Sequence, residues 1–208
     1  MTNDLQSVKE DISFMKALMV DDGNALVREG AVLCTVGVVF GLNALRLFAL
    51  ESGWLNLPAV LRHVIPWDAF IIFFIALAIL LSRLPSLARS AGARATSSAW
   101  TAVGIGLGVA VVSLAAAGWR LGQPTLFLSV FPLVLFTLYG AAWSVAFSAR
   151  RRTWFGGIAI GCYGTAIVGG MLVGTPAVWL VLALGLFFLI GLPGFLIMRQ
   201  VRTETNKT

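Results

Sequence analysis

Long apolar stretches alternate along the chain with short polar ones, most of them basic. Six apolar segments stand out, at residues 31–50, 67–84, 98–118, 125–147, 154–173 and 177–198. A helix of about 20 mostly apolar residues crosses the hydrocarbon core of a bilayer. Five segments meet that length outright. The second is the weakest, with an unbroken apolar run only at 69–81. It reaches span length with Asp68 and Arg83 in the two interfaces, where long or polar side chains snorkel. The pattern predicts an all-α polytopic membrane protein: six transmembrane helices arranged as three hairpins.

The first 30 residues differ in kind. They are polar and net acidic, and Leu5, Val8, Ile12, Met15 and Met19 recur at spacings of three and four. That is the stripe of an amphipathic helix of roughly four turns. Asp21-Asp22-Gly23-Asn24 predicts its end, with Gly23 as a left-handed stop and Asn24 as the cap of the next helix. No basic stretch followed by a short apolar core and a small-residue cleavage site is present, so a secretory signal is not expected. The expected organisation is a cytoplasmic amphipathic segment at 1–30, a membrane domain at 31–198 and a cytoplasmic tail at 199–208. The stripe at 5–19 needs a cover, either the chain's own bundle or a cytoplasmic protein. Over the first 30 residues six acids outnumber Lys9, Lys16 and Arg28, which disfavours anionic lipid as that cover.

Composition agrees with the pattern. Of 208 residues, 59% are hydrophobic and 12% charged, and mean hydropathy is +0.92. Soluble domains carry about twice that share of charge, which excludes an ordinary water-exposed globule and a disordered chain. The net charge of +6 would suggest nucleic acid in a soluble protein, but here the basic residues flank apolar segments, and no nucleic-acid partner is expected. Lys9, Lys16, Arg28, Arg83, Arg89, Arg94, Arg150, Arg151, Arg152, Arg199, Arg202 and Lys207 fall on one side of the six segments. Arg62 and Arg120 fall on the other, with Arg46 near that end of the first span. Twelve against three places both termini in the cytoplasm, as in a multi-pass protein of a bacterial inner membrane.

Internal similarity adds detail. The second, fourth and sixth segments each follow a proline, Pro66, Pro124 or Pro176, and each ends at an arginine, Arg83, Arg150 or Arg199. The outward-running segments are rich in small residues. They hold Gly37-x-x-x-Gly41, Gly104-x-x-x-Gly108, Gly157-x-x-x-Gly161 and Gly170-x-x-x-Gly174. Small residues four apart let helices approach closely in lipid. Spans one, three and five are therefore expected to form the tight interior, with the Phe- and Leu-rich spans two, four and six facing lipid. Pro132 and Pro193 are expected to kink spans four and six.

Candidate chemistry is sparse. No ionisable residue falls in the central part of any span, which argues against proton relays and charged filters. Cys34 and Cys162 have no CxxC or Cys/His spacing, and one histidine cannot build a His-rich metal site. Neither metal nor cofactor is expected. Gly-x-Ser-x-Gly with a partner histidine, His-Glu-x-x-His and the Walker loop are all missing. One constellation remains: Asn43, Arg46, Glu51, Arg62, His63 and Asp68 all belong to the outer end of the first hairpin. An ion pair of Arg46 with Asp68 or Glu51 is the expected core of this group, since an unpaired charge at the bilayer rim is costly. The residues leave three function classes. A non-catalytic sensor, anchor or regulator comes first, a transporter or channel for a small uncharged solute second, and a membrane enzyme with an outer-face site third.

The charge asymmetry makes a direct prediction. With Cys34 and Cys162 replaced by alanine, Asn56→Cys is expected to react with an impermeant thiol reagent added outside sealed cells. Arg151→Cys is expected to stay unlabelled until the membrane is opened, and its labelling from outside would reverse the orientation.

Overall fold

A computed structural model describes residues 2–83, 91–123 and 126–205, and among these every regular element is a helix. The side chains of residues 1–25, 59, 60, 62, 63, 65–67, 91–97, 126–129 and 201–205 lie outside that description. The elements are α1 (Thr2–Glu51), α2 (Ala59–Arg83), α3 (Ala91–Arg120), α4 (Leu126–Arg150), α5 (Thr153–Met171), α6 (Ala177–Gly185) and α7 (Leu192–Thr205). A π-helical turn, Leu186–Gly191, joins α6 to α7, so the two form one long helix. Among the described residues five stretches are long and apolar enough to cross a membrane: Leu26–Glu51, Ser98–Arg120, Val130–Arg150, Thr153–Met171 and Ala177–Gln200. Below, the near end of the bundle is the one carrying Glu29, Arg150 and Gln200. The far end carries Arg46, Asp68 and Trp119.

The first helix departs from expectation. It runs unbroken from Thr2 to Glu51, through the predicted stop at Gly23 and across the predicted boundary at residue 30. The energetics explain this. A glycine inside a helix costs about 1 kcal/mol, whereas a break exposes four carbonyls and four N–H groups that then need other partners. Nothing in Asp21-Asp22-Gly23-Asn24 forbids helix, so continuity wins. The helix does stop at the far end, where Gly53 takes φ +75 and Ser52 N–H donates to Phe48 O at 2.9 Å. That is the left-handed glycine stop, 30 residues later than expected.

The interior is also arranged differently. Trp143, Phe136, Ile190 and Cys162 are the largest fully buried side chains, contributed by α4, the π turn and α5. With Leu33, Val36, Leu47, Leu182 and Leu186 they place the core among α1, α4 and the α6–α7 helix. Among the described large apolar side chains of α3, Val103 alone is buried, while Ile105, Val109 and Val112 are exposed. Helix α5 is mixed, with Ile160 and Ile167 exposed and Phe155, Ala159 and Cys162 buried. The expectation that spans one, three and five form the interior is thus met by α1, met in part by α5 and corrected for α3, whose place in the centre is taken by α4 and α6. Small residues permit close approach but do not compel it, and the bulky side chains of α4 and α6 take the centre because they fill it.

Close approach does occur along α1. A Cβ built on Gly37 would stand 2.4 Å from Cα and N of Gly191, and one on Gly194 would stand 2.5 Å from Gly30 O. Glycines on both sides thus bring the α1 backbone into contact with the π turn, at Gly191, and with α7, at Gly194. A Cβ on Gly41 would stand 2.9 Å from the Phe187 ring, and one on Gly161 would stand 2.7 Å from Leu189. Gly170 has only an ordinary contact, Leu133 at 3.9 Å. Gly104, Gly108, Gly157 and Gly174 have nothing within 4 Å of the Cβ position, which corrects their assignment to helix packing; Gly174 serves a turn, at φ +86.

Pro193 produces the π turn rather than a plain kink. Proline lacks an N–H and its ring crowds the carbonyl four residues back. The chain widens before it, and Leu192 N–H donates five residues back to Phe187 O.

These contacts predict a contrast. Gly37→Ala forces a methyl against the Gly191 backbone and is expected to cost at the upper end of about 1–3 kcal/mol. Gly157→Ala meets open space and is expected to be neutral or stabilising by up to about 1 kcal/mol. Thermal unfolding of the two variants in detergent checks the order.

Candidate functional site

The unequal packing of α2 and α3 creates the main cavity. Helix α2 packs on α1 and α3 packs chiefly on α4, while α2 and α3 stand apart. Between the four helices lies a partly open cavity of about 1170 Å³. Its reach follows from helix geometry. On α3 it extends from Ser98 to Val111, and 13 residues of helical rise span about 20 Å. That exceeds half of a hydrocarbon core about 30 Å thick.

The walls are apolar and largely aromatic. Phe40 packs edge-on to Phe70, ring centroids 5.1 Å apart, and against Phe73 at 5.3 Å. Phe131 continues the cluster from α4, 6.3 Å from Phe70. Trp100 lies 5.7 Å from Tyr139 and stands edge-on to buried Trp143 at 5.2 Å. On the α3 side, Gly104 and Gly108 leave the wall without side chains, so their absent Cβ atoms become cavity volume. The two glycines thus contribute space rather than helix contact.

Polar lining is gathered at the near end, in Arg28, Glu29, Ser98 and Thr101. Glu29 Oε2 accepts from Arg150 Nη2 at 3.4 Å, a long contact tying α1 to α4. Glu29 Oε1 is buried without a hydrogen-bond partner. A buried carboxylate oxygen lacking a donor is uncommon and calls for one. Nearby, Arg152 Nη1 donates to Gln200 Oε1 at 3.1 Å, fastening the start of α5 to α7.

The residues singled out by sequence are distributed differently. Arg46 Nη2 donates to Asp68 Oδ2 at 2.7 Å, the pairing expected from their charges. Both side chains are about one-third exposed, and Asp68 Oδ1 has no partner. Asn43 lies one turn before Arg46 but points elsewhere. It is 8% exposed and lines a separate cavity of about 70 Å³ beside Pro132, Phe136 and Trp179, with Oδ1 unpartnered. That space is large enough for water, which would satisfy the amide oxygen. Glu51 ends α1 and is exposed. Arg62 and His63 belong to the start of α2, their side chains outside the described residues. The structure therefore joins Arg46 with Asp68 and sets Asn43 and Glu51 apart from them.

Sequence reasoning passed over Arg28, Glu29, Ser98 and Thr101. The available signal was depth: both pairs open apolar spans at the near end, so they share a level in the membrane. Among the described residues no cluster of histidine, cysteine and carboxylates could hold a metal. Comparison of the chain with protein families, curated proteins and solved structures finds no match.

The Arg46–Asp68 pair predicts non-additive losses. Exposure limits its coupling to about 0.5–1 kcal/mol. Arg46→Ala and Asp68→Ala are each expected to destabilise the bundle, and the double variant by less than their sum. Additive losses in chemical unfolding would deny the pair any energetic role.

Proposed function

We propose that this is a non-catalytic integral membrane protein of the sensor or regulator class, whose α1–α4 cavity takes up the acyl chain of a bilayer lipid. The reading includes six crossings, with α2 as the sixth. Its 25 residues rise about 37 Å, enough to cross a bilayer. Both termini lie in the cytoplasm on this reading, by the basic excess at the near end, and the membrane is a bacterial inner membrane.

The observation that carries it is the apolar, partly open cavity of about 1170 Å³ lined by α1–α4. Interiors pack densely, with few voids larger than a water molecule. An apolar space of this size is a poor place for water, and on this reading the separation of α2 from α3 leaves it accessible to the hydrocarbon of the bilayer. Lipid chains are what that medium supplies. A carrier of small uncharged polar solutes would need polar groups along its path, and beyond the near end the walls offer mainly Phe, Leu and Val with Tyr139. The outer-face enzyme would need Glu51, His63 and Asp68 to converge, and Glu51 is an exposed helix terminus.

The test is lipid retention. Protein purified in mild detergent is expected to carry about one phospholipid per chain through repeated washing, measured by extraction and mass spectrometry. Gly108→Phe fills the cavity without meeting a packed neighbour and is expected to lose that lipid while keeping its melting temperature. Retention by a well-folded Gly108→Phe variant, or a lipid-free wild type, would refute the reading.

A further inference from the structure

We infer that the lipid is a zwitterionic phospholipid with a primary ammonium head group, seated with its ammonium on Glu29 and its phosphate on Arg28; this rests on the acyl-chain reading above. Three observations converge. The first is the polarity of the cavity. Its charged lining lies at one end, in Arg28 and Glu29, and the remainder is hydrocarbon and aromatic. An amphiphile with one polar end matches that gradient in one direction only. Its head then sits at the near-end interface and its chain runs toward Phe40 and Phe131.

The second is the length. The cavity extends about 20 Å along α3, slightly more than one leaflet of hydrocarbon. A chain anchored at the near end is therefore accommodated to its full depth, whereas a small apolar molecule would leave most of the space unfilled.

The third is the missing donor. Glu29 is held by Arg150 through Oε2 alone, at 3.4 Å, and Oε1 has no partner. The terminal torsion of a glutamate is broad and two-fold, and Glu29 lines the cavity, so its carboxylate has the freedom to turn toward a donor bound there. A primary ammonium brings three N–H donors, while a quaternary one brings none. Arg28 sits beside Glu29 in the lining, and its guanidinium has five donors, enough to serve a phosphate in addition to its present contacts within the chain. A cation site and an anion site in adjacent positions match the ammonium and phosphate of one head group.

Native mass spectrometry of the full-length protein tests this, with phospholipids of identical chains and ethanolamine, choline or glycerol heads, and with diacylglycerol. Ethanolamine phospholipid is expected to bind about tenfold more tightly than choline phospholipid, the worth of one charge-assisted hydrogen bond. Glu29→Gln should remove that difference. Arg28→Gln should weaken all the phospholipids toward diacylglycerol and leave the ethanolamine preference standing. Equal binding of the ethanolamine and choline lipids by the wild type overturns the head-group assignment without depending on any variant, and leaves the acyl-chain reading intact. Preference for the glycerol head also overturns it. If no lipid of any head binds, both readings fall together.

Discussion

The contact on which the rest depends is the one between the backbone of α1 and that of the π turn and α7. In a membrane the surrounding hydrocarbon is as apolar as the side chains, so packing rather than the hydrophobic effect holds helices together. Gly30, Gly37, Gly191 and Gly194 let the two backbones meet where any larger residue would hold them apart. Seating α7 there fixes the long terminal helix, and the π turn before Pro193 directs Leu186 and Ile190 into the core. Phe136 and Trp143 of α4 then complete a filled centre on one side of α1.

The other side of α1 is left unfilled, and the contrast within one small bundle is informative. Helices α1, α4, α5 and α6–α7 interlock through large buried side chains, while α2 and α3 are peripheral. Close packing and open space thus occupy opposite faces of the same helix. A compact half supplies stability, which frees the α2–α3 half to keep a gap. Glu29 with Arg150 at one end of this frame and Arg46 with Asp68 at the other are the polar fastenings of α1 to its neighbours, one to the filled half and one to the open half.

Much of this was legible in the residues. Apolar segment length gave an all-helical chain with membrane-crossing helices because span length is a property of single segments. The Arg46–Asp68 pair was legible because both charges lie at one end of one hairpin. Interior and exterior were not, because Gly-x-x-x-Gly says that an approach is feasible and not which neighbour takes it. Gly37 found Gly191, while Gly104 and Gly108 found a cavity. The stop at Gly23 was misjudged for a related reason, since a local cue was weighed without the cost of ending a helix there. The cavity was hidden because it is made by the distance between two helices that no sequence pattern encodes.

Helix α1 has a mechanical consequence that follows from its continuity. About 25 of its residues precede the stretch long and apolar enough to cross a membrane, a helical extension of roughly 37 Å. The same rod forms a wall of the cavity through Val32, Val36 and Phe40. A rod held in a membrane behaves as a lever with its fulcrum at the bundle. A tilt of about 10° within the membrane carries the tip of such an extension some 6 Å sideways, by its length alone. A change in the angle of α1 against the bundle would therefore be enlarged at the far end of that extension.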